Sequence, residues 1–213
     1  PIGNLADIGL RALHVLDRVD AVACEDTRHT QQLLRAYGLD GKPLIALHEH
    51  NELQAAQTVL ARLQAGERVA YVSDAGTPAI SDPGARLVAT CHAAAVRVMP
   101  LPGASSVTTA LSAAGLAGDG QFVFAGFLPA KSGERAHAVQ ALASETRAVV
   151  LLEAPHRITA LADALAQLAD RPVTVGRELT KQFEQIVTLP CAGLPAWLAA
   201  DAQRQRGEFA LVL

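Results

Sequence analysis

The sequence predicts an α/β protein of two small domains with mainly parallel sheets. Short apolar runs that read as buried strands alternate with helix-forming stretches along the chain, as βαβ units do. Between the strand Val69–Val72 and a following helix, the loop from Ser73 to Gly84 holds two Gly, two Pro and two Asp. Such a loop is poor core material, and it stands at the carboxyl end of a strand, where open α/β sheets bind ligands. The run Gly115-Leu116-Ala117-Gly118-Asp119-Gly120 then breaks the alternation. It places the domain boundary after Gly118.

In chain order, Asp7 is positioned to cap a helix that continues to about Val19, and Ala21–Cys24 follows as a strand. Thr27 can cap a second helix that stops at Gly38. Leu44–Leu47 reads as a strand, Glu52–Ala65 as a helix ended by Gly66, and Val69–Val72 as the next strand. A helix from about Pro83, with Asp82 as N-cap, then a strand Val96–Met99 and a helix Ser105–Ala114 complete the first half. The second half offers strands at Phe122–Phe124, Val149–Leu152, Val173–Val175, Ile186–Leu189 and Phe209–Leu213. Its helices are Gly133–Ala143 and Arg157–Ala169. Because Pro1-Ile2-Gly3-Asn4 looks like a ligand-facing turn with no strand before it, a leading strand and a tail after Leu213 are expected outside this sequence.

Composition excludes several classes. The 213 residues are 50% hydrophobic and 18% charged, yet no apolar run is long enough to span a bilayer. Three widely separated cysteines give neither a disulfide framework nor a CxxC metal site, which makes a reducing, cytoplasmic setting the default. A net charge of −3 provides no global field for nucleic acid, and 4% aromatic content argues against a stacking platform for single strands. Any RNA binding must therefore come from a local patch. GxGxxG and GxxxxGK[ST] are absent, and Gly103-Ala104-Ser105-Ser106-Val107 lacks the final Gly of a nucleophile elbow. Leu101–Ser106 instead puts hydroxyl residues at a second strand-to-helix turn, where Ser105 either caps the helix or touches a ligand. His48-Glu49-His50 has the spacing of a metal pair on a strand but no evident third ligand, so no metal is expected and both imidazoles face RNA or the cleft.

Eight motifs in order resemble the tetrapyrrole methylase family, and more narrowly its branch that methylates small-subunit ribosomal RNA. They are Pro1–Asn4, Glu25–His29, His48–Glu52, Ser73–Pro78, Leu101–Ser105, Phe127–Lys131, Leu152–Arg157 and Arg177–Lys181, with Ala154 where the pattern leads one to expect Ser. The resemblance implies an S-adenosylmethionine-dependent homodimer that holds its cofactor in a cleft between two α/β domains. It implies methyl transfer to the ribose 2′-oxygen of a cytidine in the decoding region of 16S rRNA, free or in the 30S particle. By the same resemblance Asp74, Gly76, Thr77, Ser105 and Ser106 contact the cofactor, Pro1 to Asn4 (Gly3 included) floor the methyl group, and Leu152, Glu153, Leu179 and Ala210 add contacts from the second domain. A tetrapyrrole C-methyltransferase of the same fold, or a non-catalytic cofactor-binding module in ribosome assembly, are the alternatives.

The chemistry needs the donor and acceptor atoms held close, together with a base or a cation acting on a reluctant ribose hydroxyl. Glu25, Asp26, Lys131, Glu178 and Lys181 are candidates. Asp26 or Glu178 is favoured as base and Lys181 as charge stabiliser, although Glu25 and Asp26 also suit a helix start and Lys131 a solvated surface. Arg28, His29, Lys131, Arg135, His156, Arg157, Arg177 and Lys181 stand near strand ends or in loops, and together they would form the local phosphate-binding patch.

Overall fold

A computed structural model describes residues 1–116 and 119–213. These form two compact units, Pro1–Ser105 and Ser106–Leu213. The expected boundary after Gly118 lies outside the described residues, and the compact units part earlier. The helix that follows Ser105 belongs with the second unit because it packs on that unit's sheet.

The first unit carries a three-stranded parallel sheet. Its strands are β1 (Ala21–Cys24), β2 (Leu44–Ala46) and β3 (Val69–Val72), in the order β2-β1-β3. Every residue of β1 is buried, as a central strand covered on both faces requires. One face packs Leu16, Val19, Val22 and Leu34 beneath α1 (Leu10–Arg18) and α2 (Thr27–Ala36). The other packs Ala23, Ala56, Val59 and Leu87 beneath α3 (Glu52–Gln64) and α4 (Ala85–Ala93).

Several local expectations are corrected. Asp7 does not cap α1: it ends a short 3-10 turn capped by Asn4, and Gly9 stands at the N-cap of α1. Asp26, not Thr27, caps α2. Helix α4 starts two residues after Pro83 behind Gly84, and its orphan donors are met from another element. Glu52 Oε1 accepts from the Gly84 and Arg86 N–H groups, both at 2.9 Å. Val96–Met99 forms no strand, since no described neighbour takes its ladder hydrogen bonds, although Val96 and Val98 pack on the core as an inward-facing pair.

The second unit follows α5 (Ser106–Ala113) with a five-stranded sheet of order β4-β5-β8-β6-β7. The strands are β4 (Phe122–Gly126), β5 (Ala148–Glu153), β6 (Pro172–Arg177), β7 (Gln185–Pro190) and β8 (Phe209–Val212). β4 and β5 are parallel, whereas β8 runs antiparallel to both β5 and β6, and β7 antiparallel to β6. This sheet is therefore mixed, while the first is wholly parallel. The short β6–β7 connection accounts for one antiparallel pair, because a parallel crossover needs a dozen residues or more. One face, with Val149, Leu151, Val173, Val175, Phe209 and Leu211, packs under α6 (Ser132–Leu142), α7 (Ile158–Leu165) and α8 (Leu194–Ala199). Helix α5 lies against β8 and β6. Among the described residues no helix is long and apolar enough to cross a membrane, and the cysteines are buried and free.

Candidate functional site

In the first unit the polar residues gather where β1 and β3 end side by side. Asp74 follows β3, and its Oδ1 accepts from the Asp26 N–H at 3.0 Å while its Oδ2 lies 3.2 Å from His29 Nδ1. One carboxylate thus ties two strand ends together and orients an imidazole, the arrangement that fixes a histidine's tautomer for proton transfer. The His29 ring is exposed and stands in the first turn of α2.

Asp26 is differently placed. Its Oδ1 accepts from the Arg28 N–H at 2.8 Å, and its Oδ2 takes the Arg28 guanidinium at 2.6 Å. Those hydrogen bonds hold its carboxyl well below the usual carboxylate range. A base needs a pKa near the working pH, so the geometry makes Asp26 a helix cap and not a proton acceptor. Ligand atoms of Asp26, His29 and Asp74 all lie within 4.8 Å of one another, but Asp26 already holds a guanidinium.

The Asp74 loop is anchored from two sides. The Gly76 N–H donates to Pro1 O at 3.0 Å, and Thr77 Oγ1 donates to Ala104 O at 3.4 Å. The start of the chain at Pro1, the Asp74–Thr77 loop and the turn at Ala104 are thereby brought together. The histidines of the next motif are not on a strand. His48 and His50 flank a turn that Asn51 stabilises by accepting from the His48 N–H, with ring centroids 6.0 Å apart and edge to face. No third metal-ligating group joins them among the described residues.

In the second unit the Arg177–Lys181 motif forms a closed clasp. Glu178 Oε1 accepts from the Glu208 N–H at 2.8 Å and from Lys181 Nζ at 2.9 Å, while Lys181 Nζ also reaches Glu208 Oε2 at 3.0 Å. Burial pushes the Glu178 carboxyl up, but the Glu208 N–H and Lys181 outweigh it and hold the group below its ordinary value. Glu178 is therefore no better a base than Asp26. Burial likewise pulls Lys181 down, and its two carboxylates raise it overall. The clasp depends on a residue that sequence reasoning missed. Gly207 has φ +85°, and a Cβ there would sit 2.6 Å from Glu178 Oε1.

Leu152, Leu179 and Ala210 come together. Ala210 pairs with Leu152 on one side and Gly176 on the other, and the Leu179 side chain lies over Gly176, where a Cβ would meet it at 3.0 Å. A glycine inside a strand signals such an approach, so Gly176 was findable. Glu153 belongs elsewhere: the pleat turns it to the opposite face, where its fully buried carboxylate pairs with Arg157 Nε at 3.1 Å.

Three of the expected phosphate ligands are likewise spent inside the fold. Arg177 is 6% exposed and donates to Arg206 O at 2.6 Å and Phe183 O at 3.1 Å. Arg135 is 8% exposed and donates to Ala130 O at 2.9 Å, and Arg157 donates to Leu128 O. Arg135 and Arg177 are buried, and Arg157, part-buried, faces Glu153 and Leu128 O, so all three guanidiniums are engaged by the fold. Arg28, His29, Lys131 and His156 remain exposed.

Comparison with known proteins decides the family. Residues 1–195 match the family model of the tetrapyrrole (corrin/porphyrin) methylases. The chain belongs to the tetrapyrrole methylase family. Among its relatives, the "Ribosomal RNA small subunit methyltransferase I" of Escherichia coli O157:H7 is 51% identical over all of this chain and 74% of its own length. The protein of that name from Pseudomonas aeruginosa is 48% identical, over all of this chain and 76% of its own. Among solved structures, the cobalamin biosynthetic enzyme cobalt precorrin-4 methyltransferase superposes with a TM-score of 0.70 at 20% identity, covering 99% of this chain and 90% of that one. A uroporphyrin-III C-methyl transferase from Thermus thermophilus, complexed with S-adenyl homocysteine, superposes at 0.64 and 16% identity, covering 99% and 92%. These likenesses carry the fold; the relatives near half identity carry the branch.

Proposed function

We propose that this family member is an S-adenosylmethionine-dependent methyltransferase that modifies small-subunit ribosomal RNA at the ribose 2′-oxygen of a cytidine, working in the cytoplasm as a homodimer. The observation that carries the reading is identity of about one half, across the whole chain, to proteins named ribosomal RNA small subunit methyltransferase I. Bound S-adenosylmethionine supplies an electrophilic methyl group. The acceptor set at the end of β3 suits it: Asp74 can accept from its ammonium or ribose hydroxyls, and Thr77 Oγ1, whose proton goes to Ala104 O, can accept as well, while Gly76, Ser105 and Ser106 are cofactor contacts by resemblance. His29, oriented by Asp74, takes the proton of the attacking ribose hydroxyl in place of the carboxylates that the sequence favoured.

The test is transfer of a labelled methyl group to purified 30S subunits and to protein-free 16S rRNA, with the nucleotide located by mass spectrometry. Uroporphyrinogen serves as the competing acceptor. Transfer to RNA is expected, and comparable turnover on the tetrapyrrole would overturn the assignment. His29→Gln should lower methyl transfer about 100-fold, the scale of a lost proton acceptor, and keep cofactor affinity within about twofold. Equal losses in both would return His29 to a structural role.

A further inference from the structure

The Phe127–Lys131 loop joins β4 to α6 and is fixed with unusual care for an exposed connection. Arg135, on α6, donates to Ala130 O at 2.9 Å and to Pro129 O at 3.4 Å, and Arg157, at the N-cap of α7, donates to Leu128 O. Glu153, fully buried at the end of β5, in turn pairs with Arg157. Two partly or wholly buried guanidiniums are thus committed to three consecutive carbonyls of one loop. A second feature aims the loop. The β4–β5 register shifts between Phe124 and Gly126, and Gly126 has φ +63°. Bulges of this kind re-aim the side chain that follows. The residue that follows is Phe127, which is 50% exposed, while Leu128 beside it is buried. At the other end of the loop the Lys131 side chain is 82% exposed. The two turns that meet here stand at the carboxyl ends of adjacent parallel strands, and they carry Lys131, Arg135 and Arg157 against Glu134 and Glu153.

An exposed phenyl ring held on this loop, with an ammonium a few residues on that is 82% exposed and paired only at the surface with Glu134 Oε1 at 3.2 Å, has the chemistry that recognises an unpaired nucleotide: a face for the base and a cation that can exchange its exposed carboxylate for a phosphate. We propose that Phe127 stacks on an unpaired base of the RNA acceptor, with Lys131 on a neighbouring phosphate, and that Arg135 and Arg157 are positioning residues that pre-organise the loop. The proposal rests on the ribosomal RNA reading and supplies the contact that the buried arginines cannot make. Because the loop is ordered before RNA arrives, little conformational entropy is lost on binding.

The full chain is titrated with a fluorescein-labelled single-stranded RNA and, separately, assayed for KM and kcat on 30S subunits. Phe127→Leu, which keeps apolar bulk and removes the ring face, should weaken RNA binding and raise the KM for RNA about tenfold, the scale of one lost stack. Melting temperature and affinity for S-adenosylhomocysteine should not move. Phe127→Tyr should restore RNA affinity to within about twofold, and the fluorescence of Phe127→Trp should be quenched by RNA. Lys131→Gln should reduce the slope of log affinity against log salt by about one. Unchanged RNA affinity in Phe127→Leu, or an unquenched Trp at that position, would overturn the proposal and assign the ring to a protein partner. Absence of methyl transfer by the unaltered protein would count against the proposed function alone, because the titration reads Phe127 without turnover.

Discussion

Gly207 shows how one residue sets a site by what it lacks. With φ +85° and a Cβ position inside the Glu178 carboxyl group, it leaves room for a carboxylate that holds both the Glu208 N–H and Lys181. Gly207→Ala should expel Glu178 from the clasp and destabilise the protein by about 1–3 kcal/mol, the usual cost of forcing a side chain into strained backbone. Denaturant titration measures this, and a change below about 0.5 kcal/mol would show that the loop relaxes freely. The same residue scale explains the reassignment of the proton acceptor. The sequence could place Asp26 and Glu178 in the right motifs, but only the folded geometry shows that Arg28 takes the one and that Lys181 and the distant Glu208 N–H take the other.

Elements here are fastened to one another by side chains reaching across the chain. Glu52, the first residue of α3, caps α4, whose own N-cap position is a glycine with no side chain to do so. Glu52→Ala orphans the Gly84 and Arg86 N–H groups and should cost about 1–2 kcal/mol. Proteolytic nicking near residue 84 at rates matching the wild type would contradict this. The β6–β7 loop has its own pH dependence. The Glu178 carboxyl is held below its ordinary value of 4.5, so its stabilisation is present above that value and fades as pH falls through the lower folded one. Lys181 is raised above 10.5, so its contribution is present below that value and is lost as pH rises through the higher folded one. Protease protection of the 178–184 segment should thus be flat through neutrality and fall at both extremes. In Glu178→Gln the acid-side fall should be smaller.

At the scale of the whole molecule, a net charge of −3 must coexist with an RNA substrate. Of the cations in the turn motifs, the structure buries Arg135 and Arg177 and ties Arg157 to Glu153 and Leu128 O, which leaves Arg28 and Lys131 as exposed ones. Methyl transfer to RNA should therefore fall with salt, but with a slope worth only about two to four phosphate contacts. A slope near ten, as for a broadly basic binder, would mean that other surfaces carry the RNA.

The sequence by itself determined the α/β class, most of the strands and helices, and the family, because apolar periodicity and the order of eight motifs are local properties of the chain. It also placed the Asp74 loop at a strand end, but the anchoring of that loop to Pro1 and Ala104 was not legible in its composition. Val96–Met99 misled because a strand exists only where a neighbour accepts its ladder, which periodicity cannot report. The antiparallel entry of β8 between β5 and β6, the cap on α4 and the burial of Arg135 and Arg177 were decided by tertiary structure alone. A charge's role depends on what lies within about 3 Å of it, and for Arg177 and Glu178 part of that surrounding comes from about 30 residues away, at Arg206 and Glu208. Arg177 and Lys131 look alike as motif cations; folding buries one against carbonyls and leaves the other exposed beside Glu134.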